Sequence, residues 1–212
     1  SPVFWPRTRS ALLMTFIALL TWWSCNAFIP VVSATLGQAA AAASGLDKAA
    51  TSALVESWKT IATTSFNLGG LIGTLLTIPV AKRLGRRPMF AIYFGVSALA
   101  LMATFGLDLP EETRLYAYFF IGLSVFGVFG SFTYYLPELY PTRLRATGAG
   151  FCYNIGRIVA AAGPYVVGSV AAAGAGSPAV ILNALFAVAF VPLAGLLFIP
   201  LVVETRGQTL PD

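Results

Sequence analysis

Residues 55–88 read VESWKTIATTSFNLGGLIGTLLTIPVAKRLGRRP. After Glu56 and Lys59, no charge interrupts the run until Lys82, Arg83, Arg86 and Arg87 arrive together. The span it contains, near residues 55–81, exceeds the ~20 apolar residues that carry a helix across a bilayer core of roughly 30 Å. It is also far longer than the ~10 alternating residues of a membrane barrel strand. Within it Thr60, Thr64, Asn67, Gly70 and Thr74 recur at three- and four-residue spacing, so they share one face of a helix. Gly69 and Gly73 have the small-xxx-small spacing that lets membrane helices approach closely.

Five further stretches have the same character, near residues 10–36, 88–107, 113–137, 146–173 and 179–203. The connectors are short except 37–54, whose alanine run and Ser44-Gly45 predict an external loop or a short surface helix. The expected fold is an all-α integral membrane protein, a six-transmembrane-helix bundle filling residues 1–212.

Composition agrees. Of 212 residues, 58% are hydrophobic and 10% charged, against about 25% charged in a soluble domain. A water-exposed surface, disorder and nucleic-acid binding are thereby excluded, although the formal net charge is +5. With two Cys and no His, a structural zinc site, a disulfide framework and His-based catalysis lack their parts. The sequence also has no phosphate-binding G-x-x-x-x-G-K-[ST] loop and no G-x-S-x-G elbow. No cofactor, metal or enzymatic activity is expected. The first stretch is too long for a signal-peptide core and carries Trp22, Trp23 and Asn26, so it reads as a span.

Basic residues orient the bundle. Arg7, Arg9, Lys82, Arg83, Arg86, Arg87, Arg143, Arg145 and Arg206 fall on one side; Lys48, Lys59 and Arg114 fall on the other. Both termini are therefore expected in the cytoplasm. The remaining cation, Arg157, lies inside a span, twelve residues beyond Arg145, or roughly 18 Å along a helix. A guanidinium at that depth costs at least a few kcal/mol unless it faces protein, water or a counter-ion. No Asp or Glu stands at matching depth in the six spans. Arg157 is thus a candidate carboxylate anchor; bonding to backbone carbonyls is the structural alternative. On the same face lie Gly150, Asn154, Ala161 and Pro164. Asn154 is the candidate hydrogen-bond partner, and Trp22, Asn26 and Asn67 are candidate cavity-lining residues. Gly163-Pro164 and Pro30 are candidate flex points.

Three loop segments carry a resemblance. Lys82-Arg83-Leu84-Gly85-Arg86-Arg87 resembles the G-x-L-A-D-R-x-G-R-R loop of the major facilitator superfamily. Arg83, Gly85, Arg86 and Arg87 match; Lys82 stands at the Asp position and Ile78 at the first Gly. Pro137-Glu138-Leu139-Tyr140-Pro141-Thr142-Arg143-Leu144-Arg145 resembles the loop between the tenth and eleventh family helices, where Glu and Arg form a charge relay. Glu204-Thr205-Arg206-Gly207-Gln208-Thr209-Leu210 resembles the P-E-T-K/R-G-x-x-L ending, with Val203 at the Pro position.

The resemblance implies helices seven to twelve of a twelve-helix transporter, the N-terminal six-helix half being a partner outside this chain. That fits a chain beginning with Ser rather than Met. It also implies alternating access in the cytoplasmic membrane, with Arg83, Gly85, Arg86, Arg87, Glu138, Arg145, Glu204 and Arg206 forming a gating charge motif. Arg145 followed by Ala146-Thr147-Gly148, then Asn154-Ile155-Gly156-Arg157 and Gly163-Pro164, resembles the organic-acid:proton symporters, including carriers of aromatic acids and sialate. The expected function is proton-coupled transport of a small anionic substrate, a carboxylate. The proton-carrying residue would lie in the other half, because these spans hold no His, and no Asp or Glu away from their edges. The alternatives are a sugar or other metabolite carrier of the same superfamily, a pore-forming or structural six-helix subunit, or a dimer of half-transporters.

Overall fold

The computed structural model of the chain describes residues 4–174 and 177–208. Thr209 and Leu210 of the tail motif lie outside the described residues. Six membrane-length helical segments follow one another: Trp5–Ala43, Lys48–Leu84, Arg86–Gly106, Glu111–Glu138, Thr142–Ala173 and Pro178–Leu197. Among the described residues there is no strand.

Three segments are broken, each just before a proline. The first divides into α1 (Trp5–Asn26) and α2 (Ile29–Ala43), with Pro30 in the first turn of α2. A proline has no N–H for the carbonyl four residues back, so the ladder gives way there. The same chemistry separates α6 (Arg145–Ala160) from α7 (Ala162–Ala173) ahead of Pro164, and α8 (Pro178–Val188) from α9 (Phe190–Leu197) ahead of Pro192. The intact segments are α3 (Lys48–Leu84), α4 (Arg86–Gly106) and α5 (Glu111–Glu138).

Helix ends are set locally. The Asp47 carboxylate accepts the Ala50 N–H at 2.7 Å and caps α3. Of the two readings of 37–54, an external loop or a short surface helix, the structure has helix over most of it, continuous with the flanking segments: α2 runs to Ala43 and α3 starts at Lys48. Alanine is the strongest helix former, so the run from Ala39 to Ala43 prolongs the helix rather than loosening it. At the far end of the bundle the buried Arg114 donates to the carbonyls of Thr104, Leu107 and Leu109. It closes the turn between α4 and α5 by satisfying carbonyls a helix end leaves free.

The closest packing joins α3 to α5. A Cβ on Gly69 or Gly73 would collide with the carbonyls of Phe119 and Leu123, and one on Gly122 with the carbonyl of Phe66. Only glycine permits this approach, so the small-xxx-small spacing is a packing device. Two apolar clusters stack along the bundle. One, at the far end, gathers Trp58, Phe66, Leu101, Phe105 and Tyr118; the other, toward the arginine-rich end, gathers Met14, Phe90, Phe94, Tyr135 and Leu139.

Candidate functional site

A cleft of about 570 Å³ opens between α1 and the α6–α7 break. Trp23 and Ala27 form one wall; Asn154, Arg157, Ile158, Ala161 and Pro164 form the other. Both walls are where helices are interrupted, at Ala27 and at Ala161. Four of the five residues on the predicted α6 stripe therefore meet one cavity: Asn154, Arg157, Ala161 and Pro164. The helices come together beside it because Gly156 lies against Thr15 and Leu19, and Gly163 against Leu20 and Ser24. The Thr15 hydroxyl also donates to the Cys152 carbonyl at 3.2 Å.

The Arg157 guanidinium is exposed on the cleft, 6.0 Å from the centroid of the Tyr153 ring. Ion pairs among the described residues are Lys59–Glu56, Arg86–Glu138 and Arg114–Glu111, so Arg157 has no carboxylate there. The Asn154 amide N–H donates to Gly150 O at 2.8 Å. Chemically, the cleft offers one cation, one amide, the indole of Trp23 and an otherwise apolar wall.

Other predicted residues lie elsewhere. Trp22 packs behind the wall, 4.7 Å from Trp23, 5.8 Å from Phe126 and 5.6 Å from Phe129. Trp23 lines the cleft instead, one residue or about 100° farther round the helix. The signal that identifies it is the pair Gly156 and Gly163, which fix the side of α1 that faces α6. Asn26 is half-buried and is not a cleft residue; Asn67 is exposed on α3, away from it. Thr15 and Ser33, hydroxyl residues of the first segment, bond carbonyls of their own helices.

At the arginine-rich end the predicted charge motif assembles around two carboxylates. Glu138 accepts from Arg86 Nε at 3.1 Å, Arg86 Nη2 at 2.6 Å and the Thr205 hydroxyl at 2.6 Å. The resemblance had Glu138 in relay with an arginine of its own loop. Instead Arg86, on the neighbouring α4, reaches it, while Arg145 makes no ion pair among the described residues. The reason is geometric: Arg86 also donates to Ala81 O at 3.0 Å and lies 5.3 Å from the Tyr134 ring centroid, which aims it at Glu138.

Glu204 holds the N-terminus of α4, accepting from the backbone N–H of Arg86 at 2.9 Å and of Arg87 at 3.1 Å, and from that of Arg206 at 2.9 Å. Partial burial alone would raise its pKa, but these three N–H donors and the Arg86 charge hold it below the ordinary carboxylate value. Gly85 makes this possible. Its φ of 102° is one an L side chain rarely adopts, and a Cβ there would strike the Glu204 carboxylate. Arg87 Nε donates to Val202 O at 2.7 Å, whereas Arg83 and the Arg206 side chain are exposed.

The sequence model of the Major Facilitator Superfamily matches residues 11–211. A protein of Cupriavidus pinatubonensis named "Probable 4-methylmuconolactone transporter" is 36% identical over 143 residues, covering 66% of this chain and 32% of the relative. The gentisate transporter of Corynebacterium glutamicum is 26% identical over 157 residues, covering 74% of the chain and 31% of the relative. The gallate transporter of Pseudomonas putida is 26% identical over 113 residues, covering 53% and 25%. The chain thus spans about a third of the length of the curated relatives it matches.

Proposed function

The chain belongs to the major facilitator superfamily, and from that premise we propose that it is the C-terminal six-helix half of a carrier for a small carboxylate. The carrier works by alternating access in the cytoplasmic membrane, with both termini of this half on the cytoplasmic side and transport coupled to protons. The observation that carries the reading is Arg157, a guanidinium midway along a membrane helix, open to a cleft and without a carboxylate partner among the described residues. In a low-dielectric setting such a cation favours an anionic ligand, and a planar guanidinium binds a carboxylate through two parallel N–H bonds. Relatives named for gentisate and gallate support the same substrate chemistry.

Gating follows from the charge clusters. When the arginine-rich ends of the two halves close together, Arg86–Glu138 and the Glu204 cap hold this end rigid. The N-terminal half supplies the rest of the site and the proton-carrying group.

The test is uptake by the native-length carrier in proteoliposomes. Saturable carboxylate uptake with counterflow is expected, falling at least tenfold in Arg157→Gln and partly restored in Arg157→Lys. Unchanged affinity in both variants overturns the anchor, and linear, non-saturating flux overturns the carrier. A protonophore that leaves accumulation unaltered removes proton coupling.

A further inference from the structure

Another cavity, of about 260 Å³, opens at the arginine-rich end between α3 and α5. Its lining includes Ile78 and Lys82 from α3, Arg86 from the start of α4, and Tyr134 and Glu138 from α5. Two of its three charges satisfy each other. Arg86 donates to both Glu138 oxygens, and the Thr205 hydroxyl donates to the same carboxylate. Lys82 is exposed and belongs to none of the ion pairs among the described residues, so the cavity carries one uncompensated positive charge.

The surface leading to that charge is apolar. Leu71, Leu75, Ile78 and Lys82 follow at intervals of four, three and four residues, share one face of α3, and are all exposed. From Leu71 to Lys82 the helix rises roughly 16 Å, about half of a ~30 Å bilayer core. The ladder thus has the depth of one leaflet. Membrane helices approach one another through small residues, and α3 has its glycine pair, Gly69 and Gly73, already against α5. The face that remains is bulky and open, suited to acyl chains.

We propose that this cavity and ladder bind one anionic phospholipid, its phosphate at Lys82 beside Arg86 and an acyl chain along Ile78, Leu75 and Leu71. A zwitterionic headgroup suits the site less, because its ammonium needs an acceptor and the Glu138 carboxylate is already met by Arg86 and Thr205. A free phosphate shares the charge but leaves the ladder unused. This cavity shares no lining residue with the Arg157 cleft, so the proposal stands or falls apart from the anchor reading.

The test uses the native-length carrier in neutral micelles, with dioctanoyl phosphatidylglycerol, dioctanoyl phosphatidylcholine and inorganic phosphate as probes and native mass spectrometry as the readout. Phosphatidylglycerol should bind more tightly than phosphatidylcholine by about fivefold in Kd, the contribution of one lysine facing an anionic lipid. Lys82→Gln should erase that preference and Lys82→Arg should keep it. Arg143→Gln removes the same charge away from the cavity and should leave the preference in place. In vesicles of the two phospholipids, a photoreactive phosphatidylglycerol should label α3 between Leu71 and Lys82. Equal binding of the two lipids, a preference that survives Lys82→Gln, or one lost equally in Arg143→Gln overturns the proposal. Inorganic phosphate binding as tightly as phosphatidylglycerol overturns the lipid in favour of a free anion. Absence of label on that stretch overturns it too, because protein then covers the ladder. The wild-type comparison and the label decide even where a variant fails to fold.

Discussion

Replacing Glu138 by Gln tests whether the charge cluster at the arginine-rich end stabilises the bundle. The side chains of Arg86 and Glu138 are only 12% and 19% exposed. Gln keeps the shape but turns an acceptor-only carboxylate into an amide whose NH₂ meets an Arg86 N–H in either orientation, because Arg86 donates to both Glu138 oxygens. Breaking a fully buried pair costs about 3–5 kcal/mol, and an exposed pair contributes about 0–1 kcal/mol. At this intermediate burial the loss should be about 2 kcal/mol, or roughly thirtyfold in an unfolding equilibrium. The assay is unfolding in mixed micelles for the wild type, Glu138→Gln, Arg86→Gln and the double variant. Each single change should cost about 2 kcal/mol, and the double variant should cost at least ~1 kcal/mol less than their sum. Strict additivity, or single losses under ~0.5 kcal/mol, would refute the pairing as a source of stability.

Three other perturbations follow from named contacts. Gly73→Ala drives a Cβ into the Leu123 carbonyl and should cost about 1–3 kcal/mol as overpacking; the same change at Gly95 on α4, where a Cβ meets nothing within 4 Å, should cost less, and the two are compared in one unfolding series. Gly85→Ala combines an unfavourable φ with displacement of the Glu204 cap, and should loosen the tail, read as faster proteolysis after Val202. Glu204 has a folded pKa below its ordinary 4.5, so its contribution is full above that value and is lost as pH falls through the folded one. Stability measured against pH should accordingly fall on the acid side below 4.5, and the fall should be smaller in Glu204→Gln; parallel curves would count against the cap.

How legible all this was in the sequence differs by element. Apolar run length alone fixed six segments, because a bilayer leaves no other way to satisfy so many backbone groups. The α6 stripe was equally legible: Asn154, Arg157, Ala161 and Pro164 follow helical spacing, and the structure gathers them at one cleft. The residues that lie off this cleft do so for identifiable reasons. Trp22 and Trp23 are neighbours on a helix, and choosing between them needs the rotation of α1 against α6, a tertiary quantity set by Gly156 and Gly163. Asn67 belongs to a polar stripe that the Gly69–Gly73 contact turns away from the cleft. The partner of Glu138 was hidden because Arg86 lies 52 residues away in sequence, while Arg145 lies close by.

Lys82 draws these threads together. With a lysine at the position where the resembled loop carries Asp, the turn between α3 and α4 has no carboxylate of its own to meet the first N–H groups of α4. Glu204 arrives from the far end of the chain and takes that place, bridging 118 and 117 residues of sequence to reach Arg86 and Arg87. The neighbouring Thr205 binds Glu138, so two adjacent tail residues engage both carboxylate centres. The Val203 carbonyl accepts from Tyr135 and its N–H donates to Ser10, which adds α5 and α1 to the same strap. The tail thereby ties three helices at one end, while the cleft lies at two helix breaks with its cation open. On the proposed reading as half of a carrier, bending at the breaks at Ala27 and Ala161 would reshape the cleft while the paired charges and the tail hold the arginine-rich end together.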